Sequence, residues 1–240
     1  MSYSKYFSKG QKVFLKRDYA EEKREALDSI TAYATGGERE FLDLSLPYGS
    51  DAADVYPFEE GMMFELATDF NGMGLRLRAS FASKTGNKDI RLRFEENLEF
   101  ISRRIYRRLD VNAWVGIERP ADGLAEMRDA WQDCLQKLDA GVSAAELTQF
   151  KKYPVNLAGG GIRLPLQKMY NTPDLLLFFL SIGDKQGIIC TLAEVVWTGK
   201  ADQEGTVPTG MRFLNILERD QARIDAVVNN LLARMETARM

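Results

Sequence analysis

The 240-residue sequence contains no histidine. That absence excludes histidine-based catalytic triads and most transition-metal sites, which rely on imidazole ligands. Cysteine is scarce: Cys134 and Cys190 are the only two and have no close spacing, so a reduced chain without a structural disulfide is expected. No apolar run is long enough to span a bilayer. The longest, Leu175 to Ile182, is short and contains Ser181. The opening MSYSKYFSKG lacks the apolar core of a secretory signal, which makes the cytoplasm the expected compartment. Neither a P-loop nor a nucleophile–base arrangement is present, so no enzymatic activity is expected. Asp51, Asp54, Glu59 and Glu60 form an acidic patch, but in sequence of the kind found in turns.

Excess positive charge is missing too. The net charge is −3, which gives no general attraction to nucleic acid or to an anionic membrane. Any anion binding must be local. One segment stands out against that background: ISRRIYRRLD, where Arg103, Arg104, Arg107 and Arg108 fall close together near the middle of the chain.

The chain otherwise has the composition of a globular protein, with 45% hydrophobic and 28% charged residues and a length suited to one large or two small domains. The first hundred residues read mostly as strands: 12–18, 26–35, 39–48, 61–70 and 72–83. Leu42, Leu44 and Leu46 alternate with Asp43 and Ser45, and Leu75 and Leu77 with Arg76 and Arg78. Gly36-Gly37 and Gly86-Asn87 sit where hairpin turns are expected. Residues 17–27, RDYAEEKREAL, fit a helical turn as well as a strand. Short strands at this spacing suggest an antiparallel sandwich or barrel.

A second strand series follows the arginines, at 112–118, 153–158, 161–166, 174–182, 187–199 and 209–216. Two segments break it. In residues 122–141, Leu124, Met127, Trp131, Cys134 and Leu138 recur at helical spacing, with Gly141 as the stop and SAAE (143–146) as a capping box opening another helical piece. This stripe suits either packing on its own barrel or pairing with another subunit. The last twenty residues place Ile224, Val227, Val228, Leu231, Leu232 and Met235 on one face of a terminal helix.

The second chemically suggestive stretch is NLAGGGIRL. Gly159, Gly160 and Gly161 lie between two apolar strands, and glycine permits positive φ or close approach of a ligand to the backbone. Asn156 offers an acceptor and donors that suit a nucleobase edge. Arginine offers a planar fork for phosphate oxygens or for guanine O6 and N7. The plainer alternatives are a solvated basic face, with RFEENLEF upstream as its partner, and a bulge needed for barrel closure.

RRIYRR followed by NLAGGG resembles the paired signature of PilZ domains, the bacterial receptors for cyclic di-GMP. The family pattern is an arginine pair, three residues and a further arginine, then Asp or Asn-x-Ser-x-x-Gly. Arg103, Arg104 and Arg108 match the first part; Asn156 and Gly161 match the second. AEVVWTG and TGMRFLNI resemble the late barrel strands of these domains. The N-terminal half, with LPY and EEGMMFEL, resembles the companion barrel of flagellar-brake proteins. The chain departs from the pattern at Ala158, which replaces the family serine, and in the long separation of Arg108 from Asn156.

The resemblance implies a mainly β protein of two β-barrel domains. Residues 1–98 would form the flagellar-brake-like barrel. Residues 99–240 would form the PilZ-like barrel, with a helical insertion near 122–151 and a C-terminal helix. It implies a non-catalytic cyclic di-GMP receptor that senses the messenger at the interdomain connector and changes domain arrangement or partner binding, in motility or biofilm regulation. Arg103, Arg104 and Arg108 would hold phosphates and guanine edges, Asn156 a base, and Gly161 would keep the backbone low. Ala158 marks the missing hydroxyl, and Arg163 is a further candidate contact. The implied partners are cyclic di-GMP and a downstream protein, with a second copy of the chain as a further candidate, and no metal, cofactor, nucleic acid or membrane insertion. The alternative is a degenerate PilZ module that has lost the nucleotide and serves as an oligomerising interaction module.

Overall fold

Apolar residues at every second position give a strand one buried face, and a sheet of such strands must close or be covered. The chain does this twice. The structure, a computed structural model, describes residues 3–19, 25–49, 51–95, 98–102, 105–184 and 186–238. The chain divides into two compact units, one of residues 1–105 with 123–125, the other of 106–122 with 126–240.

The first unit contains β1 (Lys12–Arg17), β2 (Ala26–Glu38), β3 (Phe41–Ser45), β4 (Met63–Phe70), β5 (Met73–Lys84) and β6 (Asp89–Phe94). All pairings are antiparallel, and they close a ring in the order β1-β4-β5-β6-β3-β2 and back to β1. Closure removes the exposed edges that an open sheet would present. Leu15, Leu42, Leu44, Leu66, Leu75, Leu77, Ile90 and Leu92 fill the interior. β7 (Glu99–Ile101) pairs with β5. Between β3 and β4 lies the one-turn helix α1 (Ala52–Val55). Asp51 caps it by accepting the Ala53 N–H at 2.8 Å and also pairs with Lys84 at 2.6 Å. That part of the acidic patch is therefore structural.

Gly36-Gly37 is not a turn. β2 runs on through both glycines after a bulge near Ala34, and the chain reverses at Arg39, whose φ is 47°. Gly37 is required by proximity, because a Cβ there would lie 2.7 Å from the Phe41 carbonyl oxygen. The expected turn at Gly86-Asn87 is present, with the Thr85 and Gly86 N–H groups donating to the Asp89 carbonyl. β6 was not among the expected strands, although Ile90, Leu92 and Phe94 alternate inward against Arg91 and Arg93. Of the ambiguous stretch 17–27, residues 20–24 lie outside the described residues.

The second unit holds β8 (Leu109–Glu118), α2 (Leu124–Asp139), α3 (Ala144–Leu147), β9 (Lys151–Ala158), β10 (Gly161–Leu166), β11 (Leu175–Ser181), β12 (Ile189–Thr198), β13 (Val207–Leu217) and α4 (Glu218–Thr237). Antiparallel pairing closes a second ring, β8-β9-β10-β13-β12-β11 and back to β8. Leu175 to Leu180 of β11 are all buried, so this strand reads as a continuous apolar run rather than alternating. The architecture is thus mainly β, with two closed six-stranded barrels, an inserted helix and a terminal helix.

Gly141, with φ 87°, ends α2, and Ser143 and Glu146 form the expected capping box on α3. Leu124, Met127 and Trp131 of α2 are buried within this chain. The Trp131 indole N–H donates to the Cys190 carbonyl of β12 at 3.0 Å, and Arg128 Nε donates to Asn215 of β13. Of the two readings the sequence allowed, packing inside the chain accounts for Leu124, Met127 and Trp131, while Cys134 and Leu138 are half-buried. α4 is fastened by Arg223, whose guanidinium donates to both Asp184 oxygens at 2.8 and 3.0 Å and to Asp220 at 2.7 Å. That pairing holds the Asp184 carboxyl below its ordinary range. Among the described residues no helix is long and apolar enough to cross a membrane.

The two cysteines meet where α2 lies on β12. A hydrogen bond from the Cys190 thiol lowers the Cys134 thiol to about 7, while that same bond and burial push Cys190 well above its usual value. Cys134 is half-buried and Cys190 fully buried. Iodoacetamide at neutral pH should therefore alkylate Cys134 alone in the folded protein. Peptide mass mapping reads this directly, and early labelling of Cys190 would contradict it.

Candidate functional site

The β9–β10 hairpin carries NLAGGGIRL, and the structure explains each of its glycines by the chain's own packing. None has a positive φ. Gly159 lies under α4: its N–H donates to Asp225 Oδ1 at 3.2 Å, its carbonyl accepts from Gln221 Nε2 at 2.9 Å, and a Cβ would collide with the Asp225 carboxylate. Burial raises the Asp225 carboxyl above its ordinary value, and the Gly159 N–H partly offsets this. Gly160 faces Tyr106, whose ring would lie 2.8 Å from an added Cβ. Gly161 meets β13, where a Cβ would run into the Met211 carbonyl oxygen.

Tyr106 is one of the two residues between the arginine pairs of RRIYRR. Its packing on Gly160 brings the end of the arginine segment onto the hairpin, and β8 begins three residues later beside β9. Arg107 pairs with Glu236 of α4 at 2.8 Å, and both side chains are exposed. Arg108 is exposed. Arg103 and Arg104 lie outside the described residues.

On the outer face of the second barrel, register places a row of side chains across five strands. Asp110 of β8 pairs with Asn156 of β9, Asn156 with Arg163 of β10, Arg163 with Gly210 of β13, and Gly210 with Trp197 of β12. Asn156 Nδ2 donates to Asp110 Oδ1 at 2.8 Å, and Arg163 Nη2 lies 3.8 Å from the same oxygen. Trp197 is 49% exposed and lies along glycine: Cβ atoms on Gly199 and Gly210 would come 3.2 and 3.4 Å from its ring. Beside the row is an open cavity of about 520 Å³ lined by Asp110, Asn112, Pro154, Asn156, Arg163, Pro165 and Pro208 among others.

Of the residues singled out from sequence, Asn156 and Arg163 are therefore together on this face, with Arg108 two residues ahead of Asp110. Gly161 is at the hairpin and packs on β13. Ala158 is only 4% exposed, in a strand against which α4 packs, so its methyl is covered. Asp110 and Trp197 were missed. The signal for Trp197 was hidden by β12, which is buried from Ile189 to Val195; a register shift after Val195 turns Trp197 outward. The signal for Asp110 was positional, two residues beyond Arg108 at the start of an alternating strand. Among the described residues no group of three or more His, Cys, Asp or Glu side chains is placed to hold a metal ion.

The arrangement offers acceptors at Asp110 and Asn156, a donor fork at Arg163, a bare backbone at Gly210 and an aromatic face at Trp197. It has no nucleophile with an adjacent base. No protein-family model and no curated protein matches the chain. Among solved structures, the chain is similar to the Bacillus subtilis inhibitor of motility (MotI/DgrA), at 15% identity over 95% of this chain and 99% of that one, with a TM-score of 0.39. It is similar to YcgR from Escherichia coli in complex with c-di-GMP, at 12% identity over 96% and 88%, with a TM-score of 0.38. It is also similar to the K. pneumonia MrkH–c-di-GMP complex, at 12% identity over 95% and 90%, with a TM-score of 0.36.

Proposed function

We propose that this protein is a non-catalytic receptor for cyclic di-GMP, resembling PilZ receptors, and that the nucleotide binds on the outer face of the second barrel. One observation carries the reading: Tyr106 of RRIYRR packs on Gly160 of NLAGGG, so two motifs that are distant in sequence share one end of a barrel. Arg108 would supply positive charge for the phosphates, joined by Arg103 and Arg104 as their place in the sequence motif implies. Asn156, Arg163 and Trp197 supply two polar groups and a stacking face for the bases. Gly161 serves the site indirectly, by letting β10 lie close to β13. The arginine segment follows the first barrel along the chain and enters the second. Ligand held there acts on the connection between units, shifting their arrangement only by its differential affinity for the alternatives.

Calorimetric titration of the full chain with cyclic di-GMP tests the reading, and small-angle scattering of the same samples reports any rearrangement. Base–aromatic stacking is worth about 1–3 kcal/mol, so Trp197→Ala should weaken binding by roughly five- to more than a hundred-fold. Trp197→Phe should retain most of the affinity. Ligand should also quench the indole emission of wild type, and Trp197→Phe should show less of that quenching, with exposed Trp114 of β8 still able to respond. No heat at high ligand concentration would remove the receptor reading. It would favour the nucleotide-free module, which the covered Ala158 methyl at the serine position supports.

A further inference from the structure

Asp110 is a single exposed carboxylate inside a row otherwise suited to an anionic ligand. Its side chain is 81% exposed, so no folding requirement keeps it there. Its negative charge opposes phosphate binding nearby, and a site built for phosphates alone would gain by losing it. Its geometry is specific, however. A carboxylate only accepts, so the Asn156 amide must turn its NH₂ toward Asp110 Oδ1, leaving Asn156 Oδ1 as a second acceptor. The Arg163 guanidinium, which only donates, has Nη2 3.8 Å from that same Asp110 oxygen. Two acceptors therefore stand beside a donor fork.

Guanine presents the complement on one edge: the N1–H and N2–H₂ donors next to the O6 acceptor. Adenine presents on the corresponding edge a single N6–H₂ donor and the N1 acceptor, which leaves the carboxylate facing a lone pair. Resting on the receptor reading above, we propose that Asp110 is the base-selecting residue, its carboxylate accepting from guanine N1–H and N2–H₂ while Arg163 donates to O6. Selection then has a repulsive part as well as an attractive one. The unpaired carboxylate penalises adenine more than the lost hydrogen bonds alone would.

The test is a set of titrations of wild type, Asp110→Ala and Asp110→Asn with cyclic di-GMP, cyclic di-AMP and cyclic di-IMP, whose hypoxanthine lacks only the N2 amine. Thermal unfolding of each variant should match wild type, given the exposure of Asp110. Cyclic di-GMP should lose roughly ten- to a hundred-fold in affinity with Asp110→Ala, as expected for hydrogen bonds to a charged group. Cyclic di-AMP should hold or gain. In wild type, cyclic di-IMP should fall between the two. Asp110→Asn should resemble Asp110→Ala, since its added donors meet the donors of guanine.

Equal loss for all three nucleotides would assign Asp110 to positioning Asn156 and overturn base selection. Tighter cyclic di-GMP binding in Asp110→Ala would show that only phosphate repulsion was removed, and would also overturn it. If wild type binds none of the three nucleotides, the receptor reading itself falls and base selection falls with it. That outcome differs from one in which wild type binds and the variants leave the guanine-to-adenine ratio unchanged.

Discussion

Arg108→Ala should weaken cyclic di-GMP binding by roughly ten- to a hundred-fold, the loss expected when a charge-assisted hydrogen bond is removed. The position gives the reason. Arg108 is exposed, two residues ahead of Asp110 and two beyond the Tyr106 ring that packs on Gly160. A guanidinium there is carried by the segment that joins the arginine cluster to the outer row. It can pair with a phosphate through two parallel hydrogen bonds, which a lysine cannot reproduce. Arg108→Lys should therefore recover only part of the loss. Thermal unfolding of both variants should stay close to wild type, because no buried surface is removed. The salt dependence should also flatten in Arg108→Ala, as one charge pair leaves the complex. Unchanged affinity in a folded Arg108→Ala protein would place the phosphates elsewhere.

The sequence made the barrels legible because their strands carry a period of two, as at Leu42 and Leu44 or Leu75 and Leu77, and because their insides are filled by those same residues. It misled where glycine was read as punctuation. Gly36 and Gly37 sit inside β2, since a glycine can mark a bulge or a close neighbour as well as a turn, and only the fold reveals the Phe41 carbonyl beside Gly37. The three glycines of the hairpin repeat the lesson. Their sequence setting suggests space for a ligand, yet Asp225, Tyr106 and the Met211 carbonyl already fill the space where side chains would be.

The α2 stripe had a period but no address. Spacing alone does not say whether Met127 and Trp131 face their own chain or another, and their burial and the hydrogen bond from Trp131 to Cys190 account for these two residues within the chain. In the candidate site, Asn156 and Arg163 were legible because the hairpin is local: two residues flank Gly159–Gly161 on paired strands. Trp197 and Asp110 were not, because they join the row through β12 and β8, which are distant in sequence and adjacent only by barrel closure.

Gly161→Ala should lower stability rather than act on the ligand directly. The added Cβ is aimed at the Met211 carbonyl oxygen, with the Arg212 Cα at 3.2 Å behind it. Both are backbone atoms of β13, paired with β10 from Gly161 to Leu166, so neither can turn aside as a side chain could. Relief requires β10 and β13 to separate where the barrel closes. Overpacking of this kind costs about 1–3 kcal/mol. For a chain of this length each kcal/mol lowers Tm by roughly 2–4 °C, giving a fall of roughly 2–12 °C in all. Gly159→Ala makes the contrast, because its Cβ meets the Asp225 carboxylate, a side chain that can rotate away. It should unfold closer to wild type, at the cost of the Gly159–Asp225 hydrogen bond. Calorimetric melting of the two variants separates the positions. At temperatures where Gly161→Ala remains folded, its affinity for cyclic di-GMP should lie near that of wild type. A folded, fully stable Gly161→Ala protein that no longer binds would instead put the ligand directly against this glycine, the role that its place in the NLAGGG motif first suggested.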